Sequence, residues 1–188
     1  MDPTKMLEVD HRQVEALFKA IEKAEGDERA PLIEQLETAL RAHMELEERI
    51  VYPAMARASG EDEVEEGNKE HELARKSLAD MVALGPDEPG FGAALEATKA
   101  GIAHHVEEEE RIVFPQLRSD GTIFEQITSP FIHTRIDLGM PMDAALLATT
   151  ATKNELLFEA RAAGIEGASS MNKVDLAEAL AATMAGGS

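Results

Sequence analysis

The sequence contains no cysteine and no tryptophan, and aromatic residues make up only 4% of its 188 residues. The absence of cysteine excludes disulfides, thiolate metal sites and cysteine nucleophiles, and it fits a reducing compartment. No apolar run approaches the length of about eighteen residues that a membrane span needs. The N-terminal MDPTKMLEVD also lacks the apolar centre of a signal peptide. We therefore expect a cytoplasmic protein without a membrane partner.

Basic residues are scarce as well, since 18 Lys and Arg stand against 37 Asp and Glu, for a formal net charge of −19. A nucleic-acid-binding protein normally presents a basic surface, and this chain has no overall excess of basic residues to supply one. An acidic surface repels phosphates and attracts cations. We therefore expect no nucleic-acid partner, although charge by itself does not identify a metal site.

The abundant residues are helix formers such as Ala, Glu and Leu, which indicates an all-α protein. Four amphipathic segments fill residues 4–118, and Gly, Pro and Ser separate them. They are predicted as helices over residues 4–24, 27–58, 62–84 and 91–118, with Asp27 as a cap and breaks at Ser59–Gly60 and Gly85–Gly90. Long helices joined by short loops predict an antiparallel up-down-up-down four-helix bundle.

The second and fourth helices carry an internal repeat. His43–Pro53 reads HMELEERIVYP and His105–Pro115 reads HVEEEERIVFP, so that eight of eleven positions are identical. A further histidine precedes each segment, His11 by 32 residues and His71 by 34. The two halves of the bundle are therefore expected to resemble each other. The proline of each segment is expected to kink or stop its helix.

Histidines and glutamates occupy core positions on these helices. Each apolar stripe includes one histidine, and on the second and fourth helices a glutamate follows on the same face four residues later. Burial of charge is costly unless the charge is paired or binds a metal, and no Lys or Arg lies on the central layers of these stripes. The predicted metal ligands are His11, His43, Glu47, His71, His105 and Glu109.

Four nitrogen and two oxygen ligands are too many for one tetrahedral zinc. They suit a dinuclear site in which two carboxylates bridge and two imidazoles bind each metal. Mixed nitrogen and oxygen ligation in a four-helix bundle favours iron or manganese.

Other polar and aromatic residues near the motifs receive weaker assignments. His104 is one residue off the stripe and is an alternative ligand, while His133 is expected at the surface. Tyr52 and Phe114 are expected to pack, as is Val82 of the third helix. Glu107, Glu108 and Glu110 are expected to form a solvated face or a layer around the ligands.

The lone His11, the HMELE segment, the lone His71 and the HVEEE segment together resemble the hemerythrin-like, or HHE cation-binding, proteins. The resemblance covers about residues 5–118. It implies a four-helix bundle around a non-haem di-iron centre, with two carboxylate-bridged irons in each chain and manganese or zinc as lesser alternatives. Members of this family bind or sense oxygen, sense iron or redox state, or handle peroxide and nitric oxide.

The sequence departs from the oxygen-carrying hemerythrins at two positions. Arg75 stands where those proteins have a second histidine on the third helix, and Glu109 stands one residue before their aspartate. The departures disfavour plain oxygen carriage and favour a centre that binds, senses or detoxifies O2, peroxide or nitric oxide, including catalase-like activity. The alternatives are a metal- or redox-responsive regulator and an iron-storage or ferroxidase protein.

The C-terminal third has a different pattern. We expect domains at residues 1–118 and 149–188, joined by an irregular connector over 119–148 with one short helix. Residues 151–182 resemble the helix–extended loop–helix motif of the Rho N-terminus and SAP-like modules, which often bind nucleic acid. Three basic residues against five acidic ones favour a docking or dimerisation module, with a protein partner or self-association.

Overall fold

The computed structural model describes residues 1–58 and 60–185, and every regular element in that part of the chain is helical. The all-α prediction is confirmed, while Ser59 of the predicted break lies outside the described residues. Two of the four predicted helices are each divided by a short π-helical segment. The bundle helices are α1 (Pro3–Lys23), α2 (Arg29–Leu46) with α3 (Tyr52–Ala58), α4 (Asp62–Leu84), and α5 (Phe91–Glu108) with α6 (Phe114–Ser119).

The loops between these helices have local causes. Gly85, at φ +83°, ends α4 in a conformation that side-chain-bearing residues rarely adopt. Before α2, Gly26–Glu28 forms a single 3-10 turn and no side chain caps the helix, so the expectation that Asp27 caps it is wrong. Pro31 lies in the first turn of α2. A backbone N–H at this position would have no acceptor within the helix, so proline's lack of one removes no hydrogen bond.

The proline of each repeated segment widens its helix without ending it. Glu47–Val51 is π-helical, and the backbone N–H of Tyr52 donates to the carbonyl of Glu47, five residues earlier. Pro53 has no N–H and its ring presses on the preceding turn, and the wider turn accommodates both effects. The predicted kink or stop is therefore a π turn that begins at a predicted ligand. The second copy repeats it with Glu109–Val113, Phe114 and Pro115.

One apolar cluster of the bundle lies mostly on one side of the histidine layer. Most of its residues follow His11 and His71 but precede His43 and His105, with Met44 as an exception. On α4 the residue directly before Val82 faces this core, whereas Val82 itself is 37% exposed. The expectation that Val82 packs inward is therefore wrong. The core residues include Val14, Phe18, Ile21, Ile33, Leu36, Leu40, Leu78, Met81, Leu95 and Ile102.

The expected irregular connector over residues 119–148 is mostly helical, which corrects that prediction. Helix α7 (Gly121–Asp137) contains Pro130, whose penalty of about 3 kcal/mol falls on an exposed position. Burial of the apolar side chains of Ile127 and Phe131 offsets this penalty, and Arg135 is buried on the same face of the helix. The remaining helices are α8 (Ala144–Thr150), α9 (Lys153–Ala162) and α10 (Lys173–Ala185).

The structure divides into two compact units. One is Asp10–Ile127, and the other joins Met1–Val9 with the described residues from Thr128 onward. These limits differ from those of the predicted domains, which are 1–118, 119–148 and 149–188. The division into those domains stays a prediction. In the second unit, the backbone N–H of Asp2 donates to the carbonyl of Thr150 at 3.1 Å.

The C-terminal residues form a helix, a loop and a second helix. A capping box starts α9. The hydroxyl of Thr152 accepts from the backbone N–H of Glu155, and the Glu155 carboxylate accepts from the backbone N–H of Thr152. The loop passes through Gly164 and Gly167, both at positive φ. The resemblance to Rho and SAP-like modules stays a prediction, and residues 186–188 of that module lie outside the described part.

The described helices differ in length and in apolar character. Across residues 1–58 and 60–185, none of them combines sufficient length with sufficient apolar character to cross a bilayer.

Candidate metal centre

All six predicted ligands lie inside the Asp10–Ile127 unit, where the structure brings them together. The four histidines form two facing pairs. The Nε2 atoms of His11 and His43 are 3.1 Å apart, and those of His71 and His105 are 3.0 Å apart. Each pair joins a lone histidine of α1 or α4 with the histidine of a repeated segment, so the pairs correspond to the two copies.

Glu47 lies between the two pairs. Its Oε1 is 3.1 Å from Nε2 of His43, and its Oε2 is 3.3 Å from Nε2 of His71. One carboxylate therefore presents a separate oxygen to each pair. This is the placement that a bridging ligand requires.

Glu109 takes the equivalent place in the second copy. Its Oε2 lies 3.3 Å from Nε2 of His11 and 3.6 Å from Nε2 of His105. Both glutamates are buried, and within the described residues none of their four oxygens has a hydrogen-bond partner. An ionised carboxylate in this state is costly without a cation.

The outer nitrogens of the lone histidines are held by carboxylates. Glu48 accepts the Nδ1–H of His71, and Glu110 accepts the Nδ1–H of His11, both at 2.9 Å. These bonds select the tautomer whose Nε2 lone pair points inward. The copies exchange partners, because the glutamate of each repeated segment holds the lone histidine of the other half.

The histidines of the repeated segments face a second pair of carboxylates. Glu70 accepts the Nδ1–H of His105 at 2.8 Å. The corresponding Oδ2 of Asp10 lies 3.8 Å from Nδ1 of His43, too far for a hydrogen bond. The imidazole of His43 is therefore less firmly held from outside than the other three.

The buried carboxylates of the centre favour positive charge on the neighbouring histidines. Burial lowers the pKa of His43, but the Glu47 carboxylate and the nearby Asp10 together outweigh burial and raise this pKa well above its ordinary value. Burial also lowers the pKa of His105, but the carboxylates of Glu109, Glu70 and Glu47 together raise it to about 9. Without a metal, imidazole protons supply this positive charge, and a bound cation would replace them.

Two arginines border the centre without neutralising its bridging carboxylates. Arg75 donates to Oε1 of Glu48 at 2.8 Å, and Arg12 bonds Glu110 in the other half. Arg75 therefore contributes no ligand at the position where oxygen carriers have a histidine. It steadies the carboxylate that orients His71.

The donor set fits two metal ions. Metal–imidazole bonds of about 2.1 Å place two ligands at right angles about 3.0 Å apart, which matches both Nε2 pairs. Lone pairs facing each other at that distance repel unless a proton or a cation lies between them. Two cations, one beside each pair, would satisfy the imidazoles and both buried glutamates. The ligand assignment itself stays a prediction.

An aromatic ring packs on each lone histidine. Phe114 stacks on His11 with centroids 5.8 Å apart, and Tyr52 stacks on His71 at 5.1 Å. The hydroxyl of Tyr52 also donates to Nε2 of His71 at 3.0 Å. Burial and the nearby carboxylates raise the pKa of Tyr52, so the hydroxyl keeps its proton. Phe114 packs against its neighbour as expected. Tyr52 also packs as expected, but it makes an additional hydrogen bond that was not expected.

Sequence reasoning missed most of the carboxylates that orient the histidines. Their signal is in the repeat, since Glu48 and Glu110 directly follow the buried glutamates while Asp10 and Glu70 directly precede the lone histidines. Of these four, only Glu110 was expected near the ligands.

Two other histidines lie outside the paired cluster. His104 is 66% exposed at its side chain, and its Nε2 lies 3.8 Å from Glu70 and 3.9 Å from Glu108. It does not complete either Nε2 pair, so its assignment as an alternative ligand of this cluster has no support in the geometry. His133 is exposed, as expected.

Comparisons with known proteins were made against families, curated sequences and solved structures. The model of the hemerythrin HHE cation binding domain matches residues 2–117. A protein named DNA nickase from Nostoc sp. is 25% identical over 116 residues, which are 61% of this chain but only 33% of that protein. A hemerythrin HHE cation binding domain-containing protein from Mycobacterium kansasii has a TM-score of 0.59 and 19% identity, covering 94% of this chain and 99% of that one. At this identity the likeness shows the fold alone.

Proposed function

The chain belongs to the hemerythrin HHE cation-binding family, and we propose that its cations are two irons that bind, sense or detoxify O2, peroxide or nitric oxide. One observation supports this proposal above the others. Four inward imidazole nitrogens lie beside two buried carboxylates whose oxygens have no hydrogen-bond partner among the described residues. The proposed ligands are His11, His43, Glu47, His71, His105 and Glu109.

A bound iron pair would supply redox chemistry and a coordination position for a small molecule. The chain supplies the surroundings for that chemistry. Glu48 and Glu110 orient the lone histidines, and the apolar core on one side of the layer limits access of water. Tyr52 holds a proton at a hydroxyl directed toward Nε2 of His71, and Phe114 has no such group. The two halves therefore share their ligand types but differ in one hydrogen-bond donor.

The surroundings of Arg75 support turnover or sensing over reversible oxygen carriage. Its guanidinium is 40% exposed and bonded to Glu48, so it leaves two imidazoles for each cation. Fewer protein ligands leave more positions for solvent or an exogenous molecule.

The decisive experiment measures metal content and the optical spectrum. Protein purified from iron-fed cells is analysed for iron, manganese and zinc, and its spectrum is recorded before and after exposure to air, peroxide and nitric oxide. We expect about two irons per chain and spectral changes with at least one of these molecules. Fewer than one iron per chain, or zinc in its place, would contradict the proposal.

A second candidate is a metal- or redox-responsive regulator that acts through its C-terminal module. The observation that favours it is the exposure of two apolar side chains there, Phe158 at 71% and Val174 at 54%. Hydrogen exchange of the full chain, loaded and metal-free, tests this candidate. A metal-dependent change over residues 149–185 is expected, and identical exchange in both forms would argue against it.

The name of the Nostoc relative raises a nucleic-acid function, but only a third of that protein is matched. A net charge of −19 opposes contact with phosphates. We expect no strand cleavage when the loaded protein is incubated with supercoiled plasmid.

The ferroxidase alternative predicts that the protein oxidises Fe(II) catalytically in air, beyond two equivalents per chain.

A further inference from the structure

The two copies of the repeat diverge sharply around one side of the centre. The second copy has Glu66 and Gly67 on α4, and His104 and Glu108 on α5. Aligned on their histidines, the corresponding residues of the first copy are all apolar. They are Met6, Leu7, Ala42 and Leu46, of which Met6, Leu7 and Leu46 are fully buried.

A cleft of about 230 Å³ lies where the second copy is polar, and its walls come from α3, α4, α5 and the second π turn. It extends from the exposed Glu66 to the buried side chains of His105 and Glu109, so it connects solvent with the centre. Its acidic lining is Glu66, Glu70, Glu108 and Glu109, and no Lys or Arg is among the residues that line it.

Two acidic residues that line this cleft, Glu70 and Glu108, have the spacing of a metal site together with the neighbouring exposed His104. Ligand atoms of Glu70, His104 and Glu108 all lie within 4.8 Å of one another. Glu70 connects this triad to the centre, since its Oε1 faces His104 at 3.8 Å while its Oε2 accepts from His105 at 2.8 Å. A cation at the triad would be one side chain away from a predicted ligand.

The inner end of the cleft supplies an independent indication of a cation. Glu109 lines it, is 2% exposed, and has no hydrogen-bond partner for either oxygen within the described residues. Negative charge along a narrow cleft raises the local concentration of cations and accelerates their association. The buried carboxylate of Glu109, which accepts no hydrogen bond within the described residues, lies at the inner end of the cleft, where the cation would bind.

We propose that this acidic cleft is the port through which divalent cations reach the centre, with Glu70, His104 and Glu108 as a transient binding site at its mouth. The proposal rests on the metal centre proposed above and adds how that centre is loaded. It also accounts for the divergence of the copies, because polar residues for loading are needed in only one copy and the corresponding residues of the other copy are apolar.

The test measures Co²⁺ uptake by the metal-free full-length protein in a stopped-flow instrument, with final metal content determined separately. The repeat itself supplies the variants, since His104→Ala and Glu108→Leu install the residues of the first copy. Glu108→Gln tests charge alone. Glu107→Gln is the matched control, because Glu107 is an exposed acidic neighbour on α5 that belongs neither to the cleft lining nor to the triad.

We expect His104→Ala combined with Glu108→Gln to slow uptake at least tenfold, with unchanged final content and an unchanged dissociation constant. Uptake by the original protein should also slow steeply with added salt, and that of the variant less so. Glu107→Gln should load at the original rate.

Three results would overturn the port. They are uptake by the variants at the original rate, equal slowing by Glu107→Gln, or a dissociation constant that weakens as much as the rate falls. If the unchanged protein takes up no metal, the proposed centre fails and the port fails with it. Normal loading by the port variants removes only the port.

Discussion

Single hydrogen bonds decide which nitrogen faces the centre in three of the four histidines. Three of the four imidazoles donate their Nδ1–H to a glutamate, at 2.8 to 2.9 Å. The fourth, His43, has only Asp10 at 3.8 Å. The carboxylates therefore fix most of the ligand orientations before any cation arrives, which lowers the entropy that binding must remove.

The first prediction concerns these carboxylates. Glu48→Gln removes the charged acceptor of His71 and should weaken metal binding by about 10- to 100-fold while the protein still folds. Competitive titration with a chelator measures the change. Glu45→Gln is the control, because Glu45 pairs with Arg49 at the surface and should leave affinity unchanged. Equal affinities for Glu48→Gln and the original protein would show that Glu48 does not orient a ligand.

A second prediction uses two glycines in helices. A Cβ at Gly67 would lie 2.8 Å from the Tyr52 hydroxyl, whereas a Cβ at Gly101 has no neighbour within 4 Å. Gly67→Ala should destabilise by about 1–3 kcal/mol through overpacking. Gly101→Ala should stabilise α5 by up to about 1 kcal/mol. Urea denaturation of both variants measures the difference, and equal effects would contradict the close approach at Tyr52.

At the scale of elements, the π turns explain why Tyr52 reaches the centre. A regular α-helix turns once in about 3.6 residues, so a residue five positions after Glu47 would face away from it. The wide turn instead pairs the Tyr52 N–H with the Glu47 carbonyl and returns the ring to the face of the ligand. Pro53 is thus connected to the chemistry of the site through backbone geometry alone.

The capping box at the start of α9 supports a third prediction. Thr152→Ala removes a side-chain acceptor from the helix N-terminus and should lower the free energy of unfolding by about 1 kcal/mol. Thr183→Ala is a fitting control because its hydroxyl bonds only the carbonyl of Ala179 on an exposed face of α10. That change should stay within about 0.5 kcal/mol. Calorimetry distinguishes the two, and metal content should be unaffected by either.

At the scale of the whole molecule, an excess of negative charge surrounds a buried polar centre. Glu47 and Glu109 have no hydrogen-bond partner among the described residues, so metal loading should stabilise the fold. A fourth prediction follows. Free metal at 100 times its dissociation constant should add about 2.7 kcal/mol to the free energy of unfolding for each bound ion.

Thermal unfolding with and without Co²⁺ measures this stabilisation. The double variant Glu47→Gln and Glu109→Gln should show little or no metal-dependent shift, because it lacks both carboxylates that are predicted to bridge the metals. An unfolding temperature that is the same in loaded and metal-free protein would contradict a cation in the core.

The sequence by itself determined the bundle helices and the gathering of six residues in one cavity. Helical periodicity sufficed because each of these residues lies on an apolar stripe, where burial follows from the 3.6-residue repeat. The same reasoning was wrong for residues 119–148, because Gly121 and Gly139 mark the ends of helices there and the burial of Phe131 outweighs Pro130.

Only the tertiary structure decided how the helices turn relative to one another. That rotation selects Glu48, Glu70 and Glu110 as acceptors for histidines of other helices, and it opens the cleft beside Glu109. Periodicity assigns a residue to a face of its own helix and carries no information about the neighbouring helix. The predicted ligands could therefore be read from the chain, whereas their hydrogen-bond partners and the route from solvent depended on packing.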